Sequence, residues 1–221
     1  MPLAPLGGRS RHWSRLGVTE WLIARLRAGR RTIIGVDHGF SFPRAYFDKY
    51  GLAPDWESFL VDFCHYWPTD SAETTVDEER YRGRGAERSG SSRWRRRCEI
   101  EAGGAKSVFH FDVPGSVAKS THAGLPWLLR LRHEVGPALH FWPFDGWELA
   151  ARSSVIAEVY PSRWSGETPR GDRTADEHDA WTVANWLRQA DLTGTLASYL
   201  DRPIEAEMRE LARVEGWILG V

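Results

Sequence analysis

Cysteine is nearly absent: Cys64 and Cys98 are the only two in 221 residues, and they stand far apart. With no paired or clustered cysteines, the chain has no sequence basis for a disulfide scaffold, a thiolate zinc site or a Cys-x-x-Cys redox centre. Long hydrophobic runs are missing too. None approaches the roughly 18 apolar residues of a membrane span, and the opening MPLAPLGGRSRHW holds no apolar segment of signal-peptide length. These absences predict a reduced, cytoplasmic protein without membrane association. Lysine is scarce, with only Lys49, Lys106 and Lys119, so arginine carries the positive charge. A net charge of −1 excludes a uniformly basic surface for polyanions but leaves room for a local basic site. What is present is a 42% hydrophobic fraction, enough for a real core, and 12 tryptophans in a chain of single-domain length.

Residues 1–12 read as a loose leader and 13–221 as one domain. Trp13, Leu16, Trp21, Leu22 and Leu26 recur at near-helical spacing, and Gly29 supplies a stop. Thr32–Asp37 (TIIGVD) is a β-branched run suited to a buried strand, followed by the turn HGFSFP. Residues 55–66, 124–134, 176–190 and 203–214 suit helices, and Val155–Tyr160 (VIAEVY) suits a second strand. Strands interleaved with helices predict an α/β layer fold. Residues 70–97 are polar and contain Arg80, Arg82, Arg84, Arg88, Arg93, Arg95, Arg96 and Arg97. They read as an exposed insertion: either a solvated loop, or a phosphate-contacting arm with Trp94 stacking on a base.

Three segments carry acids in places where acids need a reason. In DEHDAWTVANWL, Ala180, Val183, Ala184 and Leu187 mark a buried helical stripe, and Asp176 and Asp179 fall on the same face. Helix capping is the competing explanation for these two. Glu158 sits in a strand whose neighbours are apolar on both sides, so it needs a partner. Asp37 closes TIIGVD at a strand's carboxyl end, where ligands of open α/β sheets collect. Four such oxygens suit Mg²⁺ or Mn²⁺ and the cleavage of phosphodiesters.

The motifs IIGVDHGFSFP, AKSVF, GSVAKST, HFWPFDGW, AEVYPSRW, DEHDAW and EGWILGV, in this order, resemble those of the family called domain of unknown function 429. That group is regarded as ribonuclease-H-like, and the likeness runs from about Trp13 to Val221. It implies a ribonuclease-H-like mixed sheet flanked by helices and a metal-dependent nuclease acting on nucleic acid. Position by position it assigns Asp37, Glu158, Asp176 and Asp179 to catalysis and to metal, and Arg97 to an arginine just before a Cys-Glu pair. Such proteins usually open on a further strand carrying Gly-x-Asp. None precedes Asp37 here, so the reading expects either a late start or a sheet without that strand.

GSVAKST at 115–121 lacks the second glycine and the Gly-Lys pair of a nucleotide-triphosphate loop. Ser116 and Lys119 are retained as candidates for holding one phosphate, against an ordinary connecting loop. HGFSFP lacks a nucleophile elbow, and the histidines show no zinc-protease spacing; His178 is expected to face solvent. Trp21, Trp127, Trp181 and Trp186 are assigned to packing on helices, and Trp142 and Trp147 to packing over base stacking. Two alternatives to a nuclease stand beside it: a non-catalytic nucleic-acid-binding or adaptor protein of the same fold, and a small-molecule phosphotransferase.

Overall fold

The computed structural model describes residues 13–71, 73–150 and 153–221; the expected leader, 1–12, lies outside the described residues. In chain order the elements are α1 (Arg15–Arg27), β1 (Ile33–Val36), α2 (Arg44–Tyr50), α3 (Trp56–Tyr66), α4 (Val76–Tyr81), α5 (Arg97–Glu101), α6 (Ala118–Val135), β2 (Leu139–Phe141), β3 (Ser154–Glu158), α7 (Ala175–Leu192), α8 (Leu196–Leu200) and α9 (Ala206–Glu215). Short 3₁₀ turns fill several connections. The protein is mixed α/β.

Local chemistry sets the helix ends. Ser14 caps α1 by accepting the Gly17 N–H at 3.0 Å, and Asp55 caps α3 by accepting the Ser58 N–H at 2.8 Å. Gly51 ends α2 in the left-handed region, φ +63°, which a side chain would disfavour.

Among the described residues three strands form the sheet, all parallel, in the order β1-β3-β2, rather than the expected mixed sheet. Both faces of this sheet are covered, as parallel sheets require. On one face Ile34, Val36 and Ile156 meet α1, α3 and α6 in an aromatic-rich core around Phe42, Phe59 and Phe63. On the other, Val155, Ala157 and Val159 pack against Val183 and Leu187 of α7, α8 and the C-terminal Trp217–Leu219. Among the described residues, no helix is long and apolar enough to cross a membrane.

Most tryptophans serve packing. Trp56 donates from Nε1 to the Phe40 carbonyl at 2.7 Å, and Trp142 donates to the Leu200 carbonyl at 2.9 Å. Trp142 and Trp147 are buried together, edge to face. Trp181 departs from its expected role: it is exposed, with the Arg173 guanidinium over its ring.

Candidate functional site

The site grows from the outer edge of β1. Its inner edge is fixed by the register Ile33↔Val155 through Val36↔Glu158. Val155 N–H donates to the Thr32 carbonyl, and Val159 N–H to the Val36 carbonyl, both at 3.0 Å. In a parallel ladder, alternate residues bond to the same neighbour. Thr32, Ile34 and Val36 therefore face β3, while the backbone groups of Ile33 and Gly35 point away from it. Side chains alternate across the sheet as well. A Cβ on Gly35 would lie 2.8 Å from Val183 Cγ1 and 3.1 Å from Leu187 Cδ1, so Gly35 allows β1 to press closely on α7. Asp37, two residues on, continues this side.

Helix α7 starts in a capping box. Glu177 N–H donates to Thr174 Oγ1, and Thr174 N–H donates to the Glu177 carboxylate at 2.8 Å. The side-chain cap is thus Thr174, with Glu177 as its reciprocal partner, and Asp176 and Asp179 remain available. His178, between them, is buried with Nε2 against the Ser165 carbonyl at 3.1 Å, rather than facing solvent.

Asp37, Asp176 and Asp179 line one groove of about 520 Å³ along the outer edge of β1. Trp21 and Leu22 of α1 close one side, and Ala180, Val183, Ala184 and Leu187 of α7 close the other. Arg188 lies nine residues beyond Asp179 in the helix, roughly 13 Å further along its axis. The helical stripe expected to be buried is buried only at Val183 and Leu187; Ala180 and Ala184 are exposed because, among the described residues, no further strand lies over them. Although Asp37 reaches solvent, its carboxyl is pushed up to about 6. Desolvation within the groove is the largest cause, followed by the charges of Asp179, Glu158 and Asp176.

Glu158 is placed differently. It faces the opposite side of the sheet, where its Oε2 takes Arg96 Nη1 at 2.7 Å and its Oε1 takes Arg96 Nη2 at 2.6 Å. Phe40 N–H also donates to Oε2, at 3.1 Å. Arg96 Nε holds Glu99 at 3.0 Å, completing a buried Glu99–Arg96–Glu158 triad. Between the ends of β1 and β3, Asp37 and Glu158 share only a cavity of about 30 Å³, room for a water or two. Of the four expected acids, the groove therefore collects three. Among the described residues, no group of three or more His, Cys, Asp or Glu side chains is arranged to hold a metal ion. Glu158, one of the four acids expected to hold Mg²⁺ or Mn²⁺, is instead committed to Arg96 on the far face.

Each of the expected phosphate contacts has an intramolecular partner. Lys119 lies in the first turn of α6 and pairs with Asp77 at 2.6 Å, while Ser116 Oγ accepts the Ala118 N–H at 3.1 Å. Arg97 begins α5 and pairs with Glu101. The described part of the 70–97 segment folds into α4, a 3₁₀ turn and the approach to α5, with α4 against α6 and the 3₁₀ turn against α3. Arg80 grips Asp112, Arg88 grips Asp62, Arg84 meets the His65 ring, and Arg95 donates to the carbonyls of Glu99 and Ala105. Trp94 packs against Phe109 with Lys49 over its ring instead of standing free to stack on a base.

Sequence reasoning missed Arg96 and Glu215. Glu215 is buried, and its two oxygens accept the N–H groups of Arg44, at 2.5 Å, and Arg97, at 2.7 Å, the first residues of α2 and α5. The signal for Arg96 lay in the apolar surroundings of Glu158, which demanded a partner. Nothing in ARVEG signals the role of Glu215.

The site thus belongs to a small parallel α/β protein with an acidic pole at one end of a sheet-edge groove. No family model, curated protein or solved structure matches the chain.

Proposed function

We propose that this chain is a binding domain whose working site is the groove beside β1, and that its ligand sets a positive charge against Asp37, Asp176 and Asp179. One observation carries this reading: the three carboxylates converge from two elements at one end of a groove whose wall is mostly apolar, with Arg188 at the far end, and none has an ion-pair partner among the described residues. Mutual repulsion raises the free energy of such a pole, and an incoming cation lowers it. The apolar wall from Gly35 to Leu187 suits a hydrophobic body attached to that cation, and the volume is that of an ordinary ligand pocket. Of the adaptor and nuclease alternatives, this reading keeps the adaptor but replaces the nucleic acid, since Arg80, Arg88, Arg95, Arg96 and Arg97, five of the eight arginines of the 80–97 stretch, are held by internal partners. Octylamine should raise the melting temperature of the full chain, octanoate should not, and Asp179→Asn should abolish the difference. Equal shifts from both compounds, or none from octylamine, would refute it.

A second reading keeps the ribonuclease-H-like fold and phosphodiester cleavage. It is favoured by Asp37, Asp176 and Asp179 being three of the four acids that the resemblance assigns, collected beyond the carboxyl end of a parallel strand. On that reading Asp37, with its carboxyl held near 6, is the group suited to proton transfer at neutral pH. Single-stranded and duplex RNA and DNA, incubated with Mg²⁺, Mn²⁺ or chelator, decide it. Cleavage lost in Asp37→Asn supports it, and no cleavage under any condition rejects it.

A further inference from the structure

β1 is a sheet edge with main-chain groups left over and a groove beside it, and that combination is what an added strand requires. The outward-facing N–H and C=O groups of Ile33 and Gly35 have no hydrogen-bond partner among the described residues. The helix layers on both faces reach past this edge. α1 contributes Trp21 and Leu22, α7 contributes Ala180, Val183 and Ala184, and the space between them runs the length of β1. Neighbouring strands lie about 4.8 Å apart, with side chains alternating to the two faces, so a strand placed here would bury apolar residues against both helices. The small side chains at 180 and 184 leave room for it. Exposed edges of this kind are where extended peptides join a sheet.

The groove is also bipolar. Asp37, Asp176 and Asp179 gather at the carboxyl end of β1, while Arg188 stands toward its start. We propose that the groove receives an extended segment of a partner protein as a fourth strand on β1, with apolar residues in its middle, a Lys or Arg at the end beside Asp37 and an acid at the end beside Arg188. This deepens the reading of the groove as a binding site and rests on it. Main-chain hydrogen bonds to Ile33 and Gly35 would supply affinity, and the charged ends would set direction.

The test uses the full chain and two synthetic hexapeptides, Glu-Val-Ile-Ala-Val-Arg and its reverse, capped at both ends, so that either strand direction is offered. One of the two should bind, with the Ile33 and Gly35 amides newly protected from hydrogen exchange. N-methylation of that peptide at alternate residues should weaken binding roughly tenfold or more by removing strand donors. Ala184→Arg, on an exposed helix position, should do the same by filling the groove while leaving the melting temperature near that of the parent. If neither peptide binds while octylamine still stabilises the protein, strand addition is wrong and the groove reading stands; if octylamine also fails, both are wrong. Binding indifferent to N-methylation overturns strand addition. So does protection of Ile33 and Gly35 before any peptide is added, which would assign the edge to this chain itself or to a second copy.

Discussion

Asp37 and Glu158 end paired parallel strands one register step apart, yet they face opposite sides of the sheet. The alternation of side chains along a strand decides this. Asp37 turns toward α7 and joins Asp176 and Asp179, while Glu158 turns toward Arg96 and Phe40. Two acids that look equivalent in the sequence therefore hold different positions, one at an open pole and one in a buried ion pair.

Mutating them should separate those roles. Glu158→Gln leaves Arg96 buried with Glu99 as its remaining carboxylate. It should cost about 3 kcal/mol, the low end for breaking a buried pair, because one partner stays. Asp179→Asn should leave the urea midpoint unchanged or raise it, since it relieves the charge on Asp37. Equal losses from both substitutions in urea unfolding would contradict the assignment.

The pole should show itself in pH dependence. Asp37 has its folded value raised from 3.8 to about 6. Its ionisation is harder in the folded state, so the stability it contributes is full below pH 4 and is lost as pH rises through 6. Relative to Asp37→Asn, the parent protein should therefore fall in stability between pH 4 and pH 7. A constant difference between the two across that range would show that neither desolvation in the groove nor the neighbouring acids raise Asp37.

His122 has the opposite sign. It is fully buried among Phe42, Trp67 and Phe111, with Nδ1 on the Ala118 carbonyl, and burial lowers it from 6.5 to about 3. The stability tied to its neutral ring is complete above pH 6.5 and is lost as pH falls toward 3, at about 1.4 kcal/mol per pH unit. His122→Phe should flatten that part of the acid limb. An unaltered acid limb in the variant would mean that other groups set it.

Glu215 should prove structural. Glu215→Ala strands the N–H groups of Arg44 and Arg97, at about 1–3 kcal/mol for each donor left unpaired. Glu215→Gln keeps one accepting oxygen and should fall between Ala and the parent in urea denaturation. Octylamine binding should survive in the Gln variant, since Glu215 lies outside the groove.

Much of the secondary structure was legible in the residues. TIIGVD and VIAEVY announced strands by their β-branched, apolar runs, although only β3 is fully buried and β1 is half-buried at the sheet edge, and α7 announced itself by period and by its acidic first turn. Asp176 and Asp179 could be placed on one helix face by counting, and Asp37 at a strand end by where its β-branched run stops. The need of Glu158 for a partner was readable as well.

What the sequence could not supply was which partner answers which charge, because ion pairs join residues distant in the chain. Arg96 lies 62 residues from Glu158, and Arg80 lies 32 from Asp112. An arginine-rich stretch and a solvated loop have the same composition, and only the packing of α4 and its neighbours on α3 and α6 showed which arginines take partners within the chain: Arg96 is buried, Arg80 and Arg88 are half-buried on Asp112 and Asp62, and Arg82 and Arg93 are exposed. The face of each strand acid depends on register, and the openness of the groove depends on strand order, neither of which is a local property. By itself, the sequence determined elements, periodicities and the presence of acids in costly places. The tertiary structure alone decided that three of those acids share an open edge, because only the assembled sheet leaves β1 without a neighbour there among the described residues.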